Sequence, residues 1–98
     1  MAVKVKDIVR WMESWAPPAW ADSGDRIGLM LGSADGEVRR VAVALDITDE
    51  VAEEAERRGA NLIIAHHPLI YRPLAAIRTD QPAGRLIRRL LAADIAVF

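Results

Sequence analysis

The chain has no cysteine among its 98 residues. That removes disulfides, thiolate zinc fingers and cysteine nucleophiles together, and it fits a reducing compartment. A charge of one sign is also missing. Thirteen Lys and Arg stand against 14 Asp and Glu, for a net charge of −1. Bulk electrostatics therefore give no signal for nucleic acid or a membrane surface. No apolar run approaches the roughly 18 residues that a transmembrane helix needs. Residues 1–7 lack the apolar core of a signal peptide. A soluble cytoplasmic domain is the expectation. Histidine is scarce too, with two copies, and both are in one place: His66-His67, followed by Pro68.

What the chain does have is the composition of a folded protein, 52% hydrophobic and 28% charged, in a length that allows one small domain. Val5, Ile8, Val9, Met12 and Trp15 recur at three- and four-residue spacing, which predicts an amphipathic helix over 5–16, stopped by Pro17-Pro18. Trp11 and Trp15 on it read as core or interface rather than as a stacking platform. Residues 20–36, rich in Gly and Asp, read as loop around a short apolar piece at 27–31. Gly24-Asp25-Arg26-Ile27-Gly28 has neither phosphate-loop spacing nor a lysine, so it is no nucleotide motif.

Residues 41–45 are short, carry β-branched Val41 and Val43 and are apolar on both faces, as a central parallel strand would be. Thr48 can cap a following helix, with Asp49 and Glu50 in its first turn, where the helix dipole favours negative charge. Glu53 with Arg57 and Glu54 with Arg58 stand at i,i+4 spacing, and Gly59 supplies a stop. The run Leu62-Ile63-Ile64-Ala65 is a second strand, and strand–helix–strand in so few residues is a βαβ unit. A third helix is predicted over 83–93 with Leu86, Ile87, Leu90 and Leu91 buried. Arg85, Arg88 and Arg89 then form a solvated face rather than a phosphate site. Asp94 leads into another apolar strand that runs to Phe98, and a strand ending without a turn or polar tail suggests a truncated chain. The expected fold class is α/β: a three-layer, Rossmann-like βαβ arrangement around a mostly parallel sheet, one domain over 1–98.

In open α/β sheets ligands bind beyond the carboxyl ends of the strands. His66 and His67 lie at one such end, and Asp46 lies at the corresponding end of the preceding strand. Two imidazoles beside a carboxylate suit a divalent transition metal, with Asp46 either near the metal or capping the next helix. Adjacent side chains of a regular strand point to opposite faces. Both histidines can therefore serve one ion only where the strand bends; otherwise each serves its own. Tyr71 could donate a proton beside them, though packing is its commoner use. Arg72 and Arg78 flank the histidine loop and are placed to meet an anionic substrate.

The segment from Ala65 to Leu74, with Val43-Ala44-Leu45-Asp46-Ile47-Thr48 before it, resembles the GTP cyclohydrolase I type 2-like, or Nif-three-like, family. The opening helix followed by Gly28-Leu29-Met30-Leu31-Gly32 is similar to that family's N-terminus, and the resemblance runs along essentially all 98 residues. It implies the N-terminal portion of a larger fold that houses a dinuclear metal centre in a cavity, in toroidal homohexamers. His66 and His67 match two metal-ligand positions. The family's bridging Asp, in a His-Thr-Asn-Leu-Asp segment, and its remaining His and Glu ligands belong to later parts of a longer chain and are not among these residues. Where the family shows Trp-Asp-Asn, this chain has Gly24-Asp25-Arg26: Asp25 keeps its place, in a segment expected to order a loop near the cavity.

Two function classes follow. One is a metal-dependent hydrolase with two divalent ions, for which zinc, iron or manganese would serve, acting through a metal-bound water on GTP or another nucleotide or phosphate-containing small molecule. The other is a metal-binding regulatory or protein-interaction factor without turnover. Two imidazoles alone should hold an ion weakly and sustain little catalysis, because catalytic sites use three or more protein ligands.

Overall fold

The computed structural model describes residues 2–98. Its elements run α1 (Val5–Trp15), a 3₁₀ turn (Pro18–Trp20), β1 (Val41–Ala44), α2 (Asp49–Arg57), β2 (Leu62–Ala65), α3 (Pro82–Ala92) and β3 (Ala96–Val97). The three strands are parallel in the order β1-β2-β3, with Val41 opposite Leu62 and Leu62 opposite Ala96. A short antiparallel bridge between Leu31 and Val97 extends the sheet past β3, so the apolar piece inside the 20–36 loop becomes sheet edge.

Side-chain alternation along the strands makes three layers. Ile63 and Val97 point into a core with Ala52 and Ala55 of α2 and Leu90 of α3. Leu62 and Ala96, one residue earlier on each strand, point the other way and meet Val5 of α1, with Ile8 and Val9 beside it. The expected α/β arrangement is thus present, with one correction. Residues 41–45 are not a central strand: β2 is central and β1 lies at the edge. Ala42 and Ala44 pack under the helices, but Val43 is 80% exposed on the opposite face, where α1 covers β2 and β3 instead. An apolar run on both faces therefore marks strand character here, and not burial on both sides.

Local chemistry explains the element ends. Asp7 accepts a hydrogen bond from the Lys4 N–H at 2.9 Å and ties down the start of α1. Thr48 Oγ1 accepts from the Val51 N–H at 3.1 Å, the cap the sequence implied. Of the expected ion pairs on α2, Glu54–Arg58 forms at 2.6 Å, whereas Arg57 turns to Glu54 instead of Glu53. Helices α2 and α3 end alike: the Gly59 and Asp94 N–H groups bond back to Glu56 O and Leu91 O, and the following Ala60 and Ile95 N–H groups to Ala55 O and Leu90 O. Both turns pass through positive φ, +73° at Gly59 and 57° at Asp94. They end each helix and aim a buried Ala60 or Ile95 toward the next strand.

Asn61 is the buried polar residue of the core. Its Oδ1 accepts from the Arg39 and Arg40 N–H groups at 2.9 and 3.3 Å, and its Nδ2 donates to Glu37 O. It satisfies the backbone that enters β1, a task that hydrophobic periodicity does not reveal. On α3, Ile87 and Leu90 are buried as expected while Leu91 is half out, and Trp11 and Trp15 are exposed, stacked on each other with ring centroids 5.9 Å apart. Among the described residues no helix is long and apolar enough to cross a membrane.

Candidate metal centre

The β1 and β2 ends meet where the two histidines leave the sheet. Ala65 still donates its N–H to Phe98 O on the β3 side at 2.8 Å. The next two N–H groups both turn to β1: His66 to Ala44 O at 3.1 Å and His67 to Leu45 O at 2.9 Å. Consecutive amides of a regular strand point to opposite sides, so two donating to the same neighbour mark a bend. The bend brings the rings together, with centroids 5.0 Å apart and planes inclined at 53°. Of the two arrangements open from the sequence, this is the one in which both imidazoles can approach one locus.

Asp46 reaches the same place. Its Oδ1 lies 2.6 Å from His67 Nδ1. A carboxylate only accepts, so the contact suits the tautomer with hydrogen on Nδ1, which in a neutral ring leaves the Nε2 lone pair free to bind a cation. Thr48 already serves as the helix cap, which frees Asp46 for the imidazole. Both side chains are 56% exposed, and a polar contact in that setting contributes about 0–1 kcal/mol at most. The contact sets ring direction more than it sets stability.

His66 and His67 line a cavity of about 480 Å³ between the strand ends, the 3₁₀ turn and the 25–30 loop. His67 also borders a smaller space of about 160 Å³ that Asp46 lines. Asp25 lies on the main cavity, and its Oδ1 accepts from the Arg26 N–H at 2.9 Å, so its carboxylate orders its own turn. Arg26 crosses to the histidine loop: its Nε donates to Tyr71 O at 3.0 Å. The Ile70 N–H meets Met30 Sδ at 3.5 Å alongside. Tyr71 thus contributes a carbonyl to this arrangement, while its exposed side chain and Arg72 do not line the main cavity. Arg78 pairs with Asp80, its Nε 3.0 Å from Oδ1. The cation that reaches the histidine cavity is Arg26, which the sequence singled out only as a departure from a family pattern.

Two imidazole nitrogens with a carboxylate behind one of them fit part of a transition-metal site. No group of three or more His, Cys, Asp or Glu residues that could hold an ion occurs among the described residues. The donor set is therefore right in kind and short in number.

A family model described as Duf34/NIF3 (NGG1p interacting factor 3) matches residues 3–98. A Bacillus subtilis protein named GTP cyclohydrolase 1 type 2 homolog is 45% identical over 97 residues, which are 99% of this chain and 26% of that protein. A Bacillus cereus protein related to NIF3 has a crystal structure that matches with a TM-score of 0.93 at 45% identity, over 99% of this chain and 27% of its own. A Staphylococcus aureus hypothetical protein matches at 0.95 and 37% identity, over all of this chain and 32% of its own. The chain thus spans about a quarter to a third of the length of these three relatives. With the fold and the length of the match in agreement, the chain belongs to the Duf34/NIF3 family.

Proposed function

We propose that His66 and His67 are two ligands of a divalent-metal centre, completed by further groups in a polypeptide of its relatives' length, and that this centre hydrolyses a nucleotide such as GTP. The observation that carries the metal reading is the bend at His66-His67 together with the Asp46 contact. The substrate class is supported by the name GTP cyclohydrolase 1 type 2 homolog given to the Bacillus subtilis relative. A bound divalent ion would supply Lewis acidity and a more acidic water.

The chain's own residues prepare that site. Main-chain bonds to Ala44 and Leu45 hold both histidine backbones at the strand end. Asp46 fixes the His67 tautomer and strengthens Nε2 as a donor. A pair of divalent ions, and assembly into a ring-shaped homohexamer, belong to the same proposal for the longer protein.

The test is a zinc titration of this chain followed through the imidazole NMR signals, with metal content and GTP consumption measured in a protein of the relatives' length. Zinc should shift both imidazoles weakly here. The H66A/H67A double variant should strip metal from the longer protein, and D46N should weaken binding by about tenfold or more, as for other partners of metal-bound imidazole. Full metal occupancy in H66A/H67A would overturn the metal reading, and bound metal without GTP turnover would overturn the substrate.

A further inference from the structure

Arg26 reaches across the cavity to the histidine loop. Arg26 lines the 480 Å³ space with His66 and His67, and among the described residues that line it, Arg26 is the sole permanent cation. Its Nε is spent on Tyr71 O, 45 residues away in sequence. That bond ties the guanidinium to the histidine loop. Its two terminal nitrogens make no hydrogen bond or ion pair with the described residues, although Glu13 and Asp25 share the lining. Asp25 is turned to the Arg26 backbone, and the Asp25 N–H is itself held by Asp22 O at 3.0 Å.

A planar fork with one arm anchored and its terminal nitrogens unspent matches an oxyanion, which it can grip through two parallel N–H bonds. The rest of the wall is mainly apolar, including Trp20, Ile27, Met30, Ile64 and Phe98. From this we infer that the cavity binds a small molecule with an apolar body and a phosphate or carboxylate group, the oxyanion held by Arg26 and the body lying against that wall beside the histidines. The inference uses a different group from the proposed metal centre and needs no metal.

The experiment is an NMR titration of the 98-residue protein in EDTA with phenyl phosphate, benzoate and inorganic phosphate, reading the Arg26 Nε–H and the two imidazoles. Phenyl phosphate or benzoate should shift all three signals and bind more tightly than inorganic phosphate, because the ring removes apolar surface from water. Whichever of the two aromatic probes binds better identifies the oxyanion.

Arg26→Gln should weaken that probe about tenfold or more, the loss expected for a charge-assisted contact. Arg26→Lys should fall between the two, since it keeps the charge and loses the fork. Arg85→Gln, an exposed arginine on α3 away from the cavity, should bind like the parent protein. No binding by either aromatic probe, or an R26Q variant that keeps dispersed spectra and unchanged affinity, would overturn the inference. Because EDTA is present throughout, failure of the metal reading would leave this outcome untouched.

Discussion

Replacing Gly84 by alanine sets two physical effects against each other with opposite signs. In an exposed helix interior, Gly→Ala stabilises by roughly 1 kcal/mol, because alanine loses less backbone entropy on folding. Gly84 is buried in the first turn of α3, and a Cβ built there would lie 1.8 Å from Arg78 O and 2.4 Å from Arg78 C, where ordinary contact begins at 3.4 Å. The obstacle is main chain, so it cannot swing aside as a side-chain tip would. Arg78 O also accepts from the Gln81 N–H at 3.2 Å, the bond that turns the chain into α3.

Relief must therefore come from shifting α3, which carries the buried Ile87 and Leu90, or from opening that turn. Overpacking of this kind costs about 1–3 kcal/mol, and a lost hydrogen bond about 1 more. Set against the propensity gain, the net expectation for G84A is a loss of about 2 kcal/mol, or roughly 8–16 °C in Tm for a domain of this size. Urea denaturation followed by circular dichroism, with a thermal scan, measures it. A G84A protein as stable as the parent, or more so, would refute the reasoning and mean that α3 rides loosely on the 68–81 segment.

Asp94 occupies a left-handed position at the end of α3, φ 57°, where glycine would sit without a Cβ penalty. Asp94→Gly should therefore stabilise by about 0.5–1 kcal/mol in the same denaturation assay, and a destabilised variant would count against strain there. Glu54 has its carboxyl pKa lowered from the ordinary 4.5, first by the hydrogen bond from Arg58 and then by that from Arg57. A lowered folded-state value means the contribution is present above pH 4.5 and is lost as pH falls through the folded value. Glu54→Gln should flatten the acid limb of stability against pH below 4.5; an unchanged slope between pH 5 and 3 would show that the pair does nothing measurable.

Much of the fold could be read locally. The 3.6-residue stripes of α1 and α3, the Thr48 cap and the Gly59 stop are written within one or two turns of chain, and the structure places them within a residue or so of the expected ends. Val43 shows where local reading stops. Its neighbours mark a strand, but whether a strand is central depends on what lies beside it and on how far α1 extends over its face. Leu91 is exposed for the same reason, and so are the two tryptophans of α1, for which a place in the core is ruled out, since a stripe on a helix says which face is apolar and not how wide a surface covers it.

The site divides in the same way. His66-His67 at a strand end, and Asp46 at the end before it, were legible because βαβ connectivity puts successive strand ends on one edge. The 2.6 Å contact between Asp46 and His67 joins residues 21 apart, and the Arg26 bond to Tyr71 joins residues 45 apart. By itself the sequence determined the helices, the strands and the edge at which the imidazoles emerge, because those follow from interactions among near neighbours. The tertiary structure alone decided which strand is central, that the chain bends at the two histidines with their rings 5.0 Å apart, and which arginine lines their cavity. Those depend on lateral pairing and loop packing between distant segments, and no local pattern of residue types encodes such distances.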